Sequence, residues 1–552
     1  MSSPEPTGKG RYRQVVTATS EVAQIEERRS VRGVTIARET ALVWAIVGLG
    51  IIARVVRFAH NRSLWGDEAR LSLNLRDRTF DGLLHPLDYV QAAPTGFLLA
   101  EKAVISAFGD SEYALRLLPL LAGVVSLVLF MRLSRLLLPV VAASIATAIF
   151  ALTDPLVYYS SEVKQYSFDV LATVALLSLA APPLLTRTLT RRRAIVLLAA
   201  GAVAFWFSHP SIFVAAAIWI VLTVVQLRHR RAAVRELLLV GVAWLAVFGA
   251  SYALVLRNAS NVSAALGLNS SSSHTSVIDI ARDAWHSFAY PVGFAYTATA
   301  LAATMTAVGI YVLVRRAPVF AAAMIATVAA TALGALAGKY PFYDRFVLFL
   351  VPIVILAVAA GLEGLREAPT LPARAAFVAS AALLVAYPAL QGAKHVASPP
   401  PHEEIKPVLV HMAQAWEPGD ALYVSTVAQY ALRYYAECND CGVLDGRAAS
   451  PLRTTVLDVR GGNTALHSQM PTVEVGNVDF GTPFSVYVSD FARMRGQQRA
   501  WFLFTSTFDP NEIRLSLGCM GHLVDSSTSV RAAAYLYDLT ARPDLGRGEC
   551  PG

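Results

Sequence analysis

Along most of this chain apolar residues do not alternate with polar ones; they come in long unbroken runs. The first spans about Ala41 to Ala59, and others begin near Ala114, Val140, Gln165, Ala194, Ser211, Leu237, Val292, Val319, Phe346 and Ala375. About 20 mainly apolar residues make a helix long enough to cross the hydrocarbon core of a bilayer. The pattern therefore predicts about eleven transmembrane helices. The first 39 residues hold no apolar core followed by a small-residue cleavage site, so they read as a polar tail rather than a removable signal.

The links between the runs carry orientation. Arg132 and Arg135, then Arg187 with Arg191, Arg192 and Arg193, then Arg228 to Arg235, then Arg315 and Arg316, then Arg366 and Arg374 follow every second run. Cytoplasmic links collect Lys and Arg, which puts these links and the N-terminal tail inside. The links at 158–164, 208–210, 258–291 and 338–345 then face outward. The segment Pro94 to Phe108 breaks this parity if it crosses, and it holds Glu101 and Lys102. It reads as a partly inserted or re-entrant helix.

After Leu390 the pattern changes. Ser398-Pro399-Pro400-Pro401 reads as a linker, and the β-like runs Ala421–Val427, Phe484–Val488 and Ala500–Phe504 alternate with polar stretches. The expected organisation is a cytoplasmic tail (1–39), a membrane domain (40–392) with an outer loop at 60–93, and an extracytoplasmic domain (393–552). The fold class that follows is a polytopic α-helical membrane protein with a small C-terminal α/β domain.

Composition agrees. Of 552 residues 55% are hydrophobic and only 16% charged, with a mean hydropathy of +0.48. Soluble domains carry about 25% charged residues, so an assembly of soluble domains is excluded. The formal charge is +8, but the arginines sit between apolar runs, so nucleic-acid binding is not indicated. Cys438, Cys441, Cys519 and Cys550 are too few for a disulfide scaffold. Outside the cell they favour disulfides over a zinc site, with the pairing open. No phosphate-binding glycine loop and no dinucleotide fingerprint occurs, so a nucleotide donor is not indicated.

Three polar clusters fall at the outer boundary. The first is Trp65-Gly66-Asp67-Glu68-Ala69-Arg70, opening a loop that continues through His85 to Gln91 and holds four Arg and five acidic residues between His60 and Ala93. The second runs from Tyr158 to Asp169. There Glu162, Gln165, Tyr166 and Asp169 have the spacing of one helix face, and such a face in a membrane helix is expensive unless it lines a cavity. The third is Gly338 to Phe346, with Lys339, Tyr343 and Arg345.

Trp65-Gly66-Asp67-Glu68-Ala69, Gln91-Ala92-Ala93-Pro94 and the stretch Phe108-Gly109-Asp110 through Leu118-Pro119 resemble, in order and spacing, the protein O-mannosyltransferase-like GT-C superfamily of polyprenyl-phosphate-sugar glycosyltransferases. Tyr158-Tyr159-Ser160-Ser161-Glu162-Val163-Lys164-Gln165-Tyr166 is similar to that superfamily's Tyr-Ser-x-Glu-Ala-Arg-x-Tyr motif, with Lys164 one residue ahead of the usual Arg. The resemblance implies a multi-pass cell-membrane glycosyltransferase. It would move a sugar from a polyprenyl-phosphate donor to a protein, lipid or cell-wall glycan acceptor on the outer face, with inversion. It implies Asp67 as the base with Glu68 beside it. Lys164 and Arg345, with Lys339 and His85 in reserve, would hold the donor phosphate. Glu162, Tyr166, Gln91 and Tyr343 would line the sugar and acceptor pocket. No cofactor is expected, although Asp67, Glu68 and Glu162 have the oxygen chemistry for a divalent metal. The competing reading is a transporter or flippase of a lipid-linked sugar. Such a protein needs polar groups near the bilayer midplane, whereas here the acidic residues lie towards one face.

Overall fold

A computed structural model describes residues 40–229, 234–253, 277–290, 296–398, 402–444, 451–458, 473–475, 489–506, 509–545 and 550. The N-terminal tail, most of the 258–291 link, residues 399–401 of the linker and the β-like run 484–488 lie outside the described residues.

The chain opens with helix α1 (Thr40–Ala59). It continues through α2 (Gly66–Asp77), α3 (Thr95–Phe108), α4 (Glu112–Leu137), α5 (Val140–Leu152), α6 (Asp154–Tyr158), α7 (Tyr166–Thr186), α8 (Arg191–Phe207), α9 (Ser211–His229) and α10 (Val234–Ser251). Then follow α11 (Val277–Ala289), α12 (Tyr296–Arg316), α13 (Pro318–Leu336), α14 (Val351–Glu367), which a 3-10 turn at Asp344–Leu350 leads into, and α15 (Leu371–Ala397). Among the described residues nine helices are long and apolar enough to cross a bilayer, and a tenth span forms if α5 and the segment Asp154–Ser161, bent by 57° at Thr153, count as one. Over the described residues each of the eleven apolar runs falls on a helix, residues 292–295 of the run from Val292 lying outside them, and α8 is short at 17 residues. The protein is a polytopic helical membrane protein.

Contacts gather several links: His60 lies 2.8 Å from Val396 O, His395 pairs with Asp154 at 2.8 Å and Arg345 with Asp67 at 2.9 Å. Arg135, Arg187 and Arg366 lie at the C-terminal ends of α4, α7 and α14.

Segment 94–108 forms α3, only 14 residues long. At 1.5 Å per residue it reaches about 21 Å, short of the roughly 30 Å hydrocarbon core. It packs against α2, α4 and α8. Its two charges have separate fates. Lys102 Nζ donates to the carbonyls of Leu75 (2.9 Å) and Arg76 (3.1 Å), which end α2. Glu101 is fully buried, and burial pushes its carboxyl well above the usual range.

The C-terminal part is a five-stranded sheet of order β2-β1-β3-β5-β4, with β1 Ala421–Val424, β2 Val473–Val475, β3 Ala500–Thr505, β4 His522–Ser529 and β5 Ala532–Asp538. β1 runs parallel to β2 and β3, while β5 is antiparallel to β3 and β4. β1 and β3 are buried along their whole length, as continuous apolar strands covered on both faces are. Helices α16 (Ile405–Ala415), α17 (Ala428–Glu437), α18 (Pro451–Asp458) and α19 (Pro510–Gly518) complete it. Cys438–Cys441 and Cys519–Cys550 are disulfides, which fixes the pairing left open by the sequence.

This domain is not tethered loosely. Leu71 and Leu75 of α2 and Phe97 of α3 share one hydrophobic cluster with Val408 of α16 and Leu432 of α17. Polar contacts surround it. Arg433 binds Asp77 at 2.6 Å and Glu437 at 3.0 Å, and Glu437 also pairs with Arg76. The Tyr435 hydroxyl accepts from Leu64 N–H at 2.8 Å and donates to Glu112 at 3.0 Å. The loop that carries the first polar cluster is therefore gripped by the C-terminal domain.

Candidate active site

Asp67 is the second residue of α2. Asp67 and Glu68 in the first turn suit the positive end of the helix dipole, but they face different partners. Asp67 Oδ2 accepts from Arg345 Nη2 at 2.9 Å, and both side chains are about a quarter exposed. Glu68 is buried. Arg116 of α4 donates to both its oxygens, at 2.8 and 3.2 Å, and Val163 N–H donates to Oε1 at 2.8 Å. With three donors on its two oxygens, Glu68 holds the 162–165 segment against α2 and α4.

Arg345 is aimed by its turn. Asp344 has φ 52°, a left-handed conformation uncommon outside glycine, and Arg345 follows at the head of the 3-10 segment. Its guanidinium lies 5.4 Å from the Trp65 ring centre and 5.7 Å from those of Tyr166 and Phe346. These are cation–π distances, so three rings and one carboxylate hold it. Tyr343 packs edge-on against Phe346 at 5.6 Å and is partly exposed.

Glu162 and Lys164 come from the segment before α7. The expected helix face is corrected here. α7 starts at Tyr166, and Glu162 is extended (φ −124°, ψ 138°). Glu162 reaches the site because the chain is not helical there. Its Oε1 accepts from the Trp65 indole at 2.8 Å. Burial and the nearby Glu68 carboxylate push its carboxyl up, against the pull of Arg345 and Lys164. Lys164 Nζ donates to Gln91 Oε1 at 2.7 Å. Burial lowers this ammonium, and Asp67 offsets part of that. For Asp67 burial acts upward, but the charges of Lys164, Arg345 and Arg70 outweigh it and hold the carboxyl below its ordinary range. Gln91 is presented by a tight turn in which Tyr89 and Val90 both have φ 58°.

Asp67, Arg345, Lys164, Gln91, Glu162 and Tyr166 are thus brought together from three distant segments. His85 and Lys339 are not: both are exposed, and among the described residues neither makes a side-chain hydrogen bond or ion pair with this cluster. Because Glu68 faces Arg116, the trio Asp67, Glu68 and Glu162 does not converge as one oxygen cage.

Two cavities bear on the cluster, and Glu162 lines the first. A polar one of about 20 Å³, room for roughly one water, is lined by Arg57, Trp65, Arg116, Tyr158, Glu162 and His402. An apolar one of about 370 Å³ lies among α11, α12, α13 and α14, with Ala284, Met324, Phe342, Val347, Leu350 and Val354 in its wall. Its wall includes Phe342 and Val347, three residues before and two after Arg345 in the chain, while the six cluster residues themselves do not line it.

No family model and no curated protein matches this chain. Among solved structures it is similar to ArnT from Cupriavidus metallidurans bound to undecaprenyl phosphate, at 15% identity over 93% of this chain and 99% of that one, with a TM-score of 0.49. It is also similar to the archaeal oligosaccharyltransferase AglB from Archaeoglobus fulgidus in complex with an inhibitory peptide and a dolichol-phosphate. That match has 10% identity over 91% of this chain and 75% of that one, with a TM-score of 0.43.

Sequence reasoning missed the part of the site supplied by the start of the C-terminal domain. His402 stacks on Trp65 with ring centres 5.4 Å apart and lies 5.2 Å from the Tyr158 ring. Glu403 Oε2 accepts from Gly66 N–H at 3.0 Å. Glu404 pairs with Arg62 at 2.8 Å and accepts from the Ser63 hydroxyl at 3.0 Å. Lys406 pairs with Glu112 at 2.9 Å. The His-Glu-Glu run directly after a proline linker was the available signal.

Proposed function

We propose that this protein transfers a sugar from a polyprenyl-phosphate donor to an acceptor at the extracytoplasmic face of the membrane. The observation that carries the reading is the Asp67–Arg345 ion pair with Lys164 close by, in a bundle whose chain before and after Arg345 also walls a 370 Å³ apolar chamber through Phe342 and Val347. A carboxylate, two cations and a greasy cavity are what the reaction requires.

The prenyl tail occupies the chamber and the donor phosphate meets Arg345 and Lys164. A guanidinium can grip two phosphate oxygens, while the ammonium acts as a point charge. The phosphate competes with Asp67 for Arg345. As it takes the guanidinium, Asp67 loses part of the positive charge that depresses its proton affinity and becomes a stronger base. The acceptor hydroxyl oxygen then forms a bond to the anomeric carbon while the bond from that carbon to the phosphate oxygen breaks. The proton passes to Asp67, and polyprenyl phosphate departs with its charge held by Arg345 and Lys164. One displacement inverts the anomeric carbon. Glu162, Tyr166, Gln91 and Tyr343 line the sugar and acceptor space, with Glu68 and Arg116 fixing the frame.

The arginines support a sidedness. Arg135, Arg187 and Arg366 lie at the C-terminal ends of α4, α7 and α14, the ends away from Arg116, Tyr166 and Arg345, and positive links stay in the cytoplasm. The tail 1–39 is then inside, and the site and C-terminal domain outside.

The test supplies purified protein with a polyprenyl-phosphate sugar and an acceptor. Release of free polyprenyl phosphate, abolished in Asp67→Asn, supports the transferase. Intact lipid moved between leaflets supports a flippase instead.

A further inference from the structure

Helix α2 begins without a cap of its own. Trp65 occupies the N-cap position and has no oxygen to offer the first N–H groups, which normally take a Ser, Thr, Asp or Asn side chain there. The missing acceptor comes from a residue 337 positions away, Glu403, whose Oε2 takes the Gly66 N–H at 3.0 Å. Gly66 immediately precedes Asp67. The fit is close: a methyl group at Gly66 would lie 3.3 Å from Val427 and 3.9 Å from the same Glu403 oxygen.

Glu403 is itself held. It is buried, and Ser506, just past β3, hydrogen-bonds its carboxylate. Glu404 N–H donates to Val530 O at 2.9 Å at the β4–β5 turn. On either side, His402 stacks on Trp65, and Glu404 ties down Arg62 and Ser63. The sheet of the C-terminal domain, the 402–404 strap and the Trp65–Asp67 turn thus form one continuous chain of contacts.

We propose that Glu403 is a positioning residue for Asp67, capping α2 from the C-terminal domain so that the carboxylate is aimed at the Arg345 side of the site. The proposal rests on the reading of Asp67 as the base. It gives the C-terminal domain a part in the reaction: undocking it uncaps the helix that carries the base.

The test uses the full-length protein in nanodiscs. Backbone amide exchange is read over residues 63–70 in wild type, E403A and E403Q. Turnover is read as polyprenyl phosphate released from a panel of polyprenyl-phosphate hexoses and pentoses. Losing a cap in E403A speeds exchange at Gly66 by at least about fivefold. Misplacing the base lowers kcat by roughly 100-fold, with donor KM unchanged. E403Q keeps an oxygen to accept the same N–H and recovers most of both. Unchanged exchange in E403A, an effect on KM in place of kcat, or E403Q as slow as E403A overturns the proposal. If Asp67→Asn turns over like wild type, the reading of Asp67 falls and the catalytic half of this proposal falls with it. Exchange at Gly66 separately decides whether Glu403 holds the turn.

Discussion

Asp67 and Arg345, 278 residues apart in the chain, meet at 2.9 Å between the first turn of α2 and the 3-10 segment that leads into α14. Nothing local brings them together. The first is held by the C-terminal domain through α2, the second by Trp65, Tyr166 and Phe346 around its guanidinium.

Substituting either partner should cost activity far more than stability. The pair is about a quarter exposed, and an ion pair of that kind is worth at most about 1 kcal/mol. Asp67→Asn should leave the thermal midpoint within a few degrees of wild type while lowering kcat by at least roughly 100-fold. Thermal unfolding followed beside turnover separates the two effects.

Arg345→Lys keeps the charge and loses the paired N–H geometry. Its donor KM should rise and its kcat fall, since both the bound and the departing phosphate need the fork. Arg345→Ala should be worse on both counts. A lysine variant with wild-type kinetics would mean that charge alone suffices at this position.

Glu68 should behave in the opposite way from Asp67. It is buried and paired twice with Arg116, and removing one partner of a buried pair leaves an uncompensated charge at a cost of about 3–5 kcal/mol. Glu68→Ala should therefore lower the thermal midpoint markedly. Replacing Glu68 and Arg116 together by apolar residues should recover part of that loss. Equal stability of Glu68→Ala and wild type would contradict the structural role.

Burial raises the Glu403 carboxyl to about 7, against about 4.3 when unfolded. The folded state therefore holds the proton more tightly. The stability that Glu403 contributes is fully present below about pH 4 and is lost as pH rises through 7. His402, which burial and then Arg62 hold down to about 4, has the opposite sense: its contribution is present above pH 6.5 and is lost as pH falls towards 4. Subtracting the Glu403→Gln melting profile from that of wild type isolates the first term. Wild type should lose stability relative to the variant between pH 5 and 8. A flat difference would show that Glu403 does not titrate in this window.

The bundle was legible because lipid leaves apolar runs as its signature, and over the described residues each of the eleven falls on a helix. Asp67, Glu162, Lys164 and Arg345 were legible because charge at a membrane boundary is costly and therefore conspicuous. The role of Glu162 was read through the wrong geometry. The spacing of residues 162–169 fits a helix face, yet Val163 N–H bonds the Glu68 carboxylate in place of a helical carbonyl and the helix begins only at Tyr166. Glu403 was not legible, since a cap supplied across 337 residues leaves no local pattern. The β4–β5 hairpin was missed as well, because β4 is a polar edge strand with little apolar signal.

The most direct measurement is polyprenyl phosphate release by the full-length protein in nanodiscs, given a polyprenyl-phosphate sugar and an envelope extract as acceptor, with Asp67→Asn beside wild type. Wild type should liberate polyprenyl phosphate and glycosylate a component of the extract, while the variant, equally folded, should do neither. Release at the wild-type rate by Asp67→Asn, or recovery of the donor lipid intact from both preparations, would contradict a base at Asp67 working against a phosphate at Arg345.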